Sequence, residues 1–371
     1  MDGINIVPSE DQFPRATYLD NMVRLLDTVS YNDENFSDED RAECLKYAYG
    51  KAAEHFAQPH VQNILKAPPK RLAAAVKTIV GMCVFSWCLV SKEVMADLSI
   101  FYTYAILLDD TIEDPYDGMS SWYGDLLNAR PQAHGWWRLL NDFLPTLLRH
   151  YGGYCQITIV RSTIDFFQGC WIEQHNFKGF RGASDYPVFL RRLNGLGQSV
   201  SSLLWPAELV NEKKHFFEIT SVIAQLDNWV TWTNDLFSFY KEYLAERDQT
   251  SLVNNYVECE GITLDEALDR LCRDTIRSSK EIIQVFQSKN PHIYEALTRF
   301  LQGYITWHLC DNRYRLDEIY ESAGEDPIAL KFKQYVESAR RVGCVDPAKY
   351  CVPSVAELCE REMAKHLAGK P

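Results

Sequence analysis

Apolar residues recur at helical spacing in nearly every segment of the chain, whereas alternating strand patterns bounded by turn residues are scarce. This pattern predicts an all-α protein. The clearest predicted helices span residues 15–29, 70–90, 136–150, 156–174, 211–244 and 331–341. Ser37 and Thr263 each stand where an N-cap is expected, and Pro291 is expected at the start of another helix. Residues 115–123 are predicted to form a turn, and the residues after 341 a weakly structured tail.

The 371 residues contain no glycine- or serine-rich linker, no change of composition and no internal repeat. With 46% hydrophobic and 13% aromatic residues, the chain can build one large core. We therefore predict a single domain over residues 1–371, with residues 1–13 and 366–371 as poorly ordered tails.

One predicted helix runs through the apolar segment 99–108 and then meets Asp109, Asp110, Glu113 and Asp114. Carboxylates have the wrong charge for the C-terminus of a helix, and like charges four residues apart repel each other. A bound cation would offset this repulsion. Because no Cys or His accompanies the carboxylates, a hard cation such as Mg²⁺ fits best. A solvated acidic turn is the alternative.

A second group of oxygen donors lies within the longest predicted helix. Asn234, Ser238 and Glu242 are four residues apart, so that their side chains share one face over two turns. Such a column can chelate one Mg²⁺, leaving the other octahedral positions to water and a ligand phosphate. Asp235 is expected about 100° around the helix, away from the metal. A solvated helix face is the alternative.

The charge and the cysteines narrow the choice of partners and compartment. The net charge is −13 and Lys and Arg form no long basic block, so nucleic acid and a membrane surface are not expected partners. The 11 cysteines are scattered without a C-x-x-C pair, which is typical of reduced thiols in the cytoplasm. No signal peptide or membrane-spanning segment is expected.

The two acidic motifs also carry a family resemblance. Asp109-Asp110-x-x-Glu113 resembles the aspartate-rich motif of class I terpene cyclases, and Asn234-Asp235-x-x-Ser238-x-x-x-Glu242 resembles their second metal motif, in the same order. Segments 166–174, 189–197 and 306–315 resemble those of the fungal trichodiene synthase family. The likeness covers nearly the whole chain.

The resemblance implies a bundle of antiparallel helices around an apolar cavity. It also implies Mg²⁺-dependent cyclisation of farnesyl diphosphate to trichodiene with release of diphosphate, the first step of trichothecene biosynthesis. Three Mg²⁺ ions would hold the diphosphate. The alternative is another fungal sesquiterpene cyclase with a different product. A homodimer is also an open alternative.

Residue roles follow from the same resemblance. It implies Asp109 as the metal-bridging carboxylate, with Asn234, Ser238 and Glu242 on a further Mg²⁺. Glu113 stands where many relatives have aspartate. It implies that the donors to the diphosphate are Arg191, Lys241, Arg313 and Tyr314. It implies a catalytic role for Asp109, Arg313 and Tyr314. Surface salt bridges are the alternative for the basic residues.

Two further implications concern a sensor and the cavity wall. Asn194-Gly195, just after Arg191, resembles the linker and effector positions of the family's diphosphate sensor, where a linker aspartate is more usual. Aromatic faces attract carbocations. The candidates for such a lining are Tyr102, Phe166, Tyr304 and Trp307, and ordinary core packing is the alternative for each.

Three other classes of protein would show different features. A chain-elongating prenyltransferase would need a second aspartate-rich cluster at segment 234–242, and this sequence has none there. A di-iron bundle would need two E-x-x-H motifs, whereas the chain has only Glu212 to His215. A non-enzymatic helical scaffold would bind no diphosphate in the presence of Mg²⁺.

Overall fold

The computed structural model describes residues 12–35, 37–109, 116–245 and 249–368, without the side chains of 362–368. Those ranges contain seventeen α-helices and no β-strand, which confirms the all-α prediction. In chain order the helices are α1 Arg15–Thr28, α2 Asp38–Phe56, α3 Pro59–Leu65, α4 Pro69–Ser86, α5 Lys92–Asp109, α6 Tyr116–Leu127, α7 Gly135–Leu148, α8 Gly153–Gln174, α9 Tyr186–Asn194, α10 Gly197–Ser202, α11 Phe216–Tyr243, α12 Leu252–Glu260, α13 Leu264–Phe286, α14 Pro291–Cys310, α15 Leu316–Ser322, α16 Pro327–Gly343 and α17 Val355–Ala368.

The predicted helix starts are confirmed where a cap was recognised. The Ser37 side chain accepts a hydrogen bond from the Asp40 amide at the start of α2. Thr263 and Glu266 form a complete capping box at the start of α13. Pro291 is the first residue of α14, where its missing N–H costs no hydrogen bond.

Three predictions about local structure are wrong. Tyr116–Leu127 is a helix rather than a turn. Gly118 allows this helix to pack closely, because a β-carbon there would lie 2.7 Å from the His134 β-carbon. Val355–Ala368 is a helix within the expected weak tail, and α11 starts at Phe216 rather than at residue 211.

Contacts between residues divide the chain into two compact units. The first consists of Met1–Asp33, Ile157–Leu204 and Glu212–Cys344. At its centre α11 packs against α9, α10, α13 and α14. The Trp229 indole in α11 is fully buried and donates a 2.8 Å hydrogen bond to Ser279 Oγ in α13. Helix α11 is therefore held on several sides before any ligand is considered.

The second unit consists of Glu34–Gln156, Trp205–Asn211 and Val345–Pro371. Its most apolar helix, α5, packs against α2, α4 and α7. His55 in α2 and Tyr104 in α5 lie 2.7 Å apart, Nε2 to Oη. This packing fixes α5, whose last residue is Asp109. The single-domain organisation stays a prediction.

The expected tails lie mostly outside the described residues. Phe13, within the expected N-terminal tail, is buried and packs its ring edge-on against Tyr240 and Tyr243. Across the described ranges, no helix combines the length and the apolarity needed to cross a bilayer.

Candidate active site

The oxygen-donor column predicted from the sequence lies near the C-terminal end of α11. Asn234 and Glu242 are partly buried, and Ser238 is 1% exposed. The Ser238 Oγ atom has no hydrogen-bond partner among the described residues. An unpaired hydroxyl at this depth is costly unless a ligand satisfies it.

A buried ion pair lies beside this column. Arg191 Nε in α9 donates a 2.8 Å hydrogen bond to Asp235 Oδ2, and the two side chains are 17% and 5% exposed. Burial disfavours the guanidinium charge, but the Asp235 carboxylate more than offsets this effect, so the pKa of Arg191 is raised above its ordinary value. Arg191 therefore stays charged, and Asp235 holds it in place.

The same guanidinium joins α9 to the donor column. Its Nη2 donates to Asn234 Oδ1 at 3.0 Å, and its Nη1 to Asn194 Oδ1 at 3.3 Å. The Asn194 amide nitrogen donates in turn to Glu173 Oε1 in α8. The predicted sensor positions 191 and 194 are thus connected directly to each other and to the column.

Two glycines permit this close packing. A β-carbon at Gly169 in α8 would lie 2.8 Å from the Asn194 backbone nitrogen. A β-carbon at Gly195 would lie 2.6 Å from the Arg191 carbonyl oxygen and closer still to the Thr231 side chain in α11. Both distances are too short for any larger residue, so glycine is required where α8 and α11 approach α9.

On its other side, Asn234 contacts α14 and the residues that follow it. Its Nδ2 donates to Tyr314 Oη at 3.2 Å and lies 3.1 Å from His308 Nε2. Burial lowers the pKa of His308 to about 3, so the ring is neutral. Burial also raises the pKa of Tyr314 well above its ordinary value. Tyr314 therefore keeps its proton, and its O–H is available as a donor while its oxygen accepts from Asn234.

The remaining basic candidates, Lys241 and Arg313, are neighbours in sequence of Glu242 and Tyr314. Lys241 Nζ is 3.9 Å from Glu242 Oε1, and the two side chains are 24% and 12% exposed. Arg313 is half-buried in the 3-10 turn Asn312–Tyr314, where its backbone N–H donates to Asp311 Oδ1 at 2.8 Å.

The first acidic motif is described only in part. Asp109 is exposed at the end of α5, in the second unit. Asp110, Glu113 and Asp114 lie outside the described residues. The metal-bridging role of Asp109 stays a prediction.

The four aromatic candidates are all buried. Tyr304 stacks on Phe300 with ring centroids 5.4 Å apart and lies 5.7 Å from Trp307. Tyr102, in the second unit, packs on Trp87 with centroids 5.5 Å apart, and Phe166 is buried in α8. Their role as a cavity lining stays a prediction.

The donor set of α11 fits Mg²⁺. It offers an amide oxygen, a hydroxyl and a carboxylate on one helix face, all hard ligands. The buried, unpaired Ser238 hydroxyl is the observation that favours a ligand here. The neighbouring arginine, lysine and tyrosine can donate hydrogen bonds to an anion.

Sequence reasoning missed three residues of this site. Asp235 was predicted to lie about 100° around α11 from the donor column, with no partner assigned; it is the carboxylate that pairs with Arg191. Glu173 and His308 lie within the segments 166–174 and 306–315 that carry the family resemblance, but no role was assigned to either. Both act through other side chains, Asn194 and Asn234.

The chain matches known proteins over most of its length. Residues 12–369 match the family model described as Trichodiene synthase (TRI5). A trichodiene synthase of Trichoderma arundinaceum is 77% identical over 370 residues, covering 100% of this chain and 95% of the relative. One from Fusarium pseudograminearum is 54% identical over 350 residues, covering 94% of this chain and 93% of the relative. One from Stachybotrys chartarum is 52% identical over 362 residues, covering 97% and 94%. The motifs on α5, α11 and α14 thus occur in a chain that belongs to the trichodiene synthase family.

Proposed function

We propose that this protein cyclises farnesyl diphosphate to trichodiene and releases diphosphate, as the names of its relatives indicate. The match to trichodiene synthases over nearly the full length of both chains carries this proposal. It makes the protein a sesquiterpene cyclase, a carbon–oxygen lyase that acts on a diphosphate.

The reaction requires the diphosphate to leave an allylic carbon. We propose that Asn234, Ser238 and Glu242 bind one Mg²⁺, that Asp109 bridges others, and that three ions are present with diphosphate bound. When bound, Mg²⁺ would neutralise the charge that builds on the departing diphosphate.

The basic residues and Tyr314 would stabilise the negative charge on the diphosphate that the metal does not neutralise. Arg191 is fixed by Asp235 and has one Nη1 hydrogen beyond its bond to Asn194, which is free to donate to a phosphate oxygen. Tyr314 can donate its O–H, and Lys241 and Arg313 add positive charge. Because Arg191 and Asn234 are already held by neighbouring side chains, little reorganisation is needed when charge develops.

The carbocation that remains must be kept from water and folded toward one product. We propose that Tyr102, Phe166, Tyr304 and Trp307 do this through apolar contour and their ring faces, which attract positive charge. We further propose a cytoplasmic location. A homodimer remains a prediction.

Incubation of the purified chain with farnesyl diphosphate and Mg²⁺, followed by mass spectrometry of the hydrocarbon, tests the proposal. We expect trichodiene, its loss in EDTA and its return with excess Mg²⁺. A different hydrocarbon would refute the product and leave the cyclase activity. No hydrocarbon, or full activity in EDTA, would refute the proposed function.

A further inference from the structure

We propose that His308 is a positioning residue of this site. Its ring accepts a hydrogen bond from Asn234 and thereby turns the Asn234 amide oxygen toward Arg191, the orientation in which that oxygen could also bind a metal ion. The inference rests on the proposed function, because this orientation matters only if Asn234 binds a metal ion.

The hydrogen bonds of the ring define its tautomer. His308 Nδ1 lies 2.7 Å from the Tyr304 backbone carbonyl oxygen, which can only accept. The Nδ1 atom therefore carries the hydrogen. In the neutral ring Nε2 is then an acceptor, and it lies 3.1 Å from Asn234 Nδ2.

The other bonds of the Asn234 amide favour the same orientation. The second Nδ2 hydrogen is donated to Tyr314 Oη at 3.2 Å, and Oδ1 accepts from Arg191 Nη2 at 3.0 Å. Turning the amide over would place Oδ1 against the lone pair of His308 Nε2, and the Nδ2 hydrogens against the guanidinium. The orientation is therefore unique, and it leaves one lone pair of Oδ1 for a metal ion.

The ring has no room to turn. His308 is 0% exposed, and four aromatic rings surround it with centroids 4.4–4.9 Å away. They belong to Phe237, Tyr304, Trp307 and Tyr314. A rigid neutral acceptor thus faces Asn234.

This arrangement accounts for asparagine rather than aspartate at position 234. An aspartate carboxylate in the place of the Asn234 amide would have no hydrogen to donate to His308 Nε2 and would set two acceptors 3.1 Å apart. His308 therefore makes the amide the better ligand here, although a carboxylate binds Mg²⁺ more strongly in general.

A double-mutant cycle tests the coupling of these two positions. Calorimetry measures the affinity of the full chain for Mg²⁺ in the presence of inorganic diphosphate. His308→Leu removes the acceptor, and His308→Gln keeps an acceptor oxygen near the Nε2 position. Asn234→Asp removes the Nδ2 donor, and the double variant His308→Leu/Asn234→Asp completes the cycle.

We expect His308→Leu to weaken Mg²⁺ binding by about ten- to hundred-fold, as the loss of a partner that orients a metal ligand does. His308→Gln should recover most of this loss. In the Asn234→Asp background His308→Leu should cost nothing or improve binding, because the acceptor is no longer useful there. The same loss in both backgrounds would overturn the inference.

Two further comparisons separate positioning from general stability. His55→Leu removes another imidazole, which is bonded to Tyr104 in the second unit, and should lower the melting temperature without weakening Mg²⁺ binding. An equal loss of Mg²⁺ affinity in His55→Leu would overturn the role of His308. Failure of the unmutated chain to bind Mg²⁺ with diphosphate would instead refute the proposed function, and this role with it.

Discussion

At the scale of single residues, the Arg191–Asp235 pair places two opposite charges in a largely buried position. Asp235→Ala would leave the guanidinium in a largely buried position without its counter-charge, which costs about 3–5 kcal/mol in comparable pairs. We expect a loss of that order in the free energy of unfolding, measured in urea, and a loss of activity because Arg191 is no longer held.

The Arg24–Asp269 pair provides a matched control. It has the same 2.8 Å separation, but its side chains are 38% and 34% exposed. Asp269→Ala should therefore cost no more than about 1 kcal/mol. Equally small losses at both positions would contradict the importance assigned to Asp235.

A second prediction at this scale concerns the Cys344 thiol. A hydrogen bond from Cys310 stabilises the thiolate and lowers the pKa of Cys344 to about 7. A lowered pKa means that the thiolate is already present near neutral pH, so the alkylation rate should rise with pH and reach half its maximum near pH 7. Peptide mass spectrometry after iodoacetamide labelling measures this rate.

Cys310→Ala should move the alkylation midpoint of Cys344 to higher pH, because the stabilising hydrogen bond is lost. Cys351 is also exposed and serves as the internal reference for reagent and unfolding. A midpoint that Cys310→Ala leaves unchanged would show that the lowered pKa has another cause.

At the scale of elements, the polar face of α11 can be tested one ligand at a time. Ser238→Ala removes a buried hydroxyl with no partner among the described residues, so it should affect metal binding far more than folding. We expect Mg²⁺ affinity with diphosphate to fall at least about ten-fold. Ser221→Ala is the control. Ser221 is exposed on the same helix, and its hydroxyl donates a hydrogen bond to the Phe217 carbonyl oxygen one turn earlier. Equal effects of the two substitutions on Mg²⁺ affinity would argue against chelation by α11.

The approach of α8 to α9 yields another prediction. A methyl group in Gly169→Ala would collide with the Asn194 backbone, and overpacking of this kind costs about 1–3 kcal/mol. It should also move α9 away from α8, loosen the bond of Asn194 to Glu173 and thereby lower activity. Thermal unfolding and turnover measure the two effects.

Gly153→Ala in the same helix is the matched control, because a β-carbon there meets nothing within 4 Å. It should be neutral or stabilise the protein by up to about 1 kcal/mol. A neutral Gly169→Ala would contradict the close packing described for α8 and α9.

At the scale of the whole molecule, the sequence predicted the all-α class and most helix positions, because apolar periodicity and caps are local signals. The Tyr116–Leu127 helix was missed because the packing that supports it, Gly118 against His134, joins residues that no local pattern links. The column on α11 was predicted because its donors share one helix. The role of Asp235 was missed because its partner Arg191 is distant in sequence. The role of His308 was missed because its partner Asn234 is distant in sequence.

In the proposed site, Asn234, Ser238 and Glu242 bind the metal that holds the diphosphate. Crystals grown with Mn²⁺ in place of Mg²⁺ and with inorganic diphosphate test it most directly, since Mn²⁺ is located by anomalous scattering. We expect an anomalous peak within coordination distance of Ser238 Oγ, Asn234 Oδ1 and the Glu242 carboxylate, with the diphosphate against Arg191 and Tyr314. Bound diphosphate with no metal peak at these three side chains would contradict it.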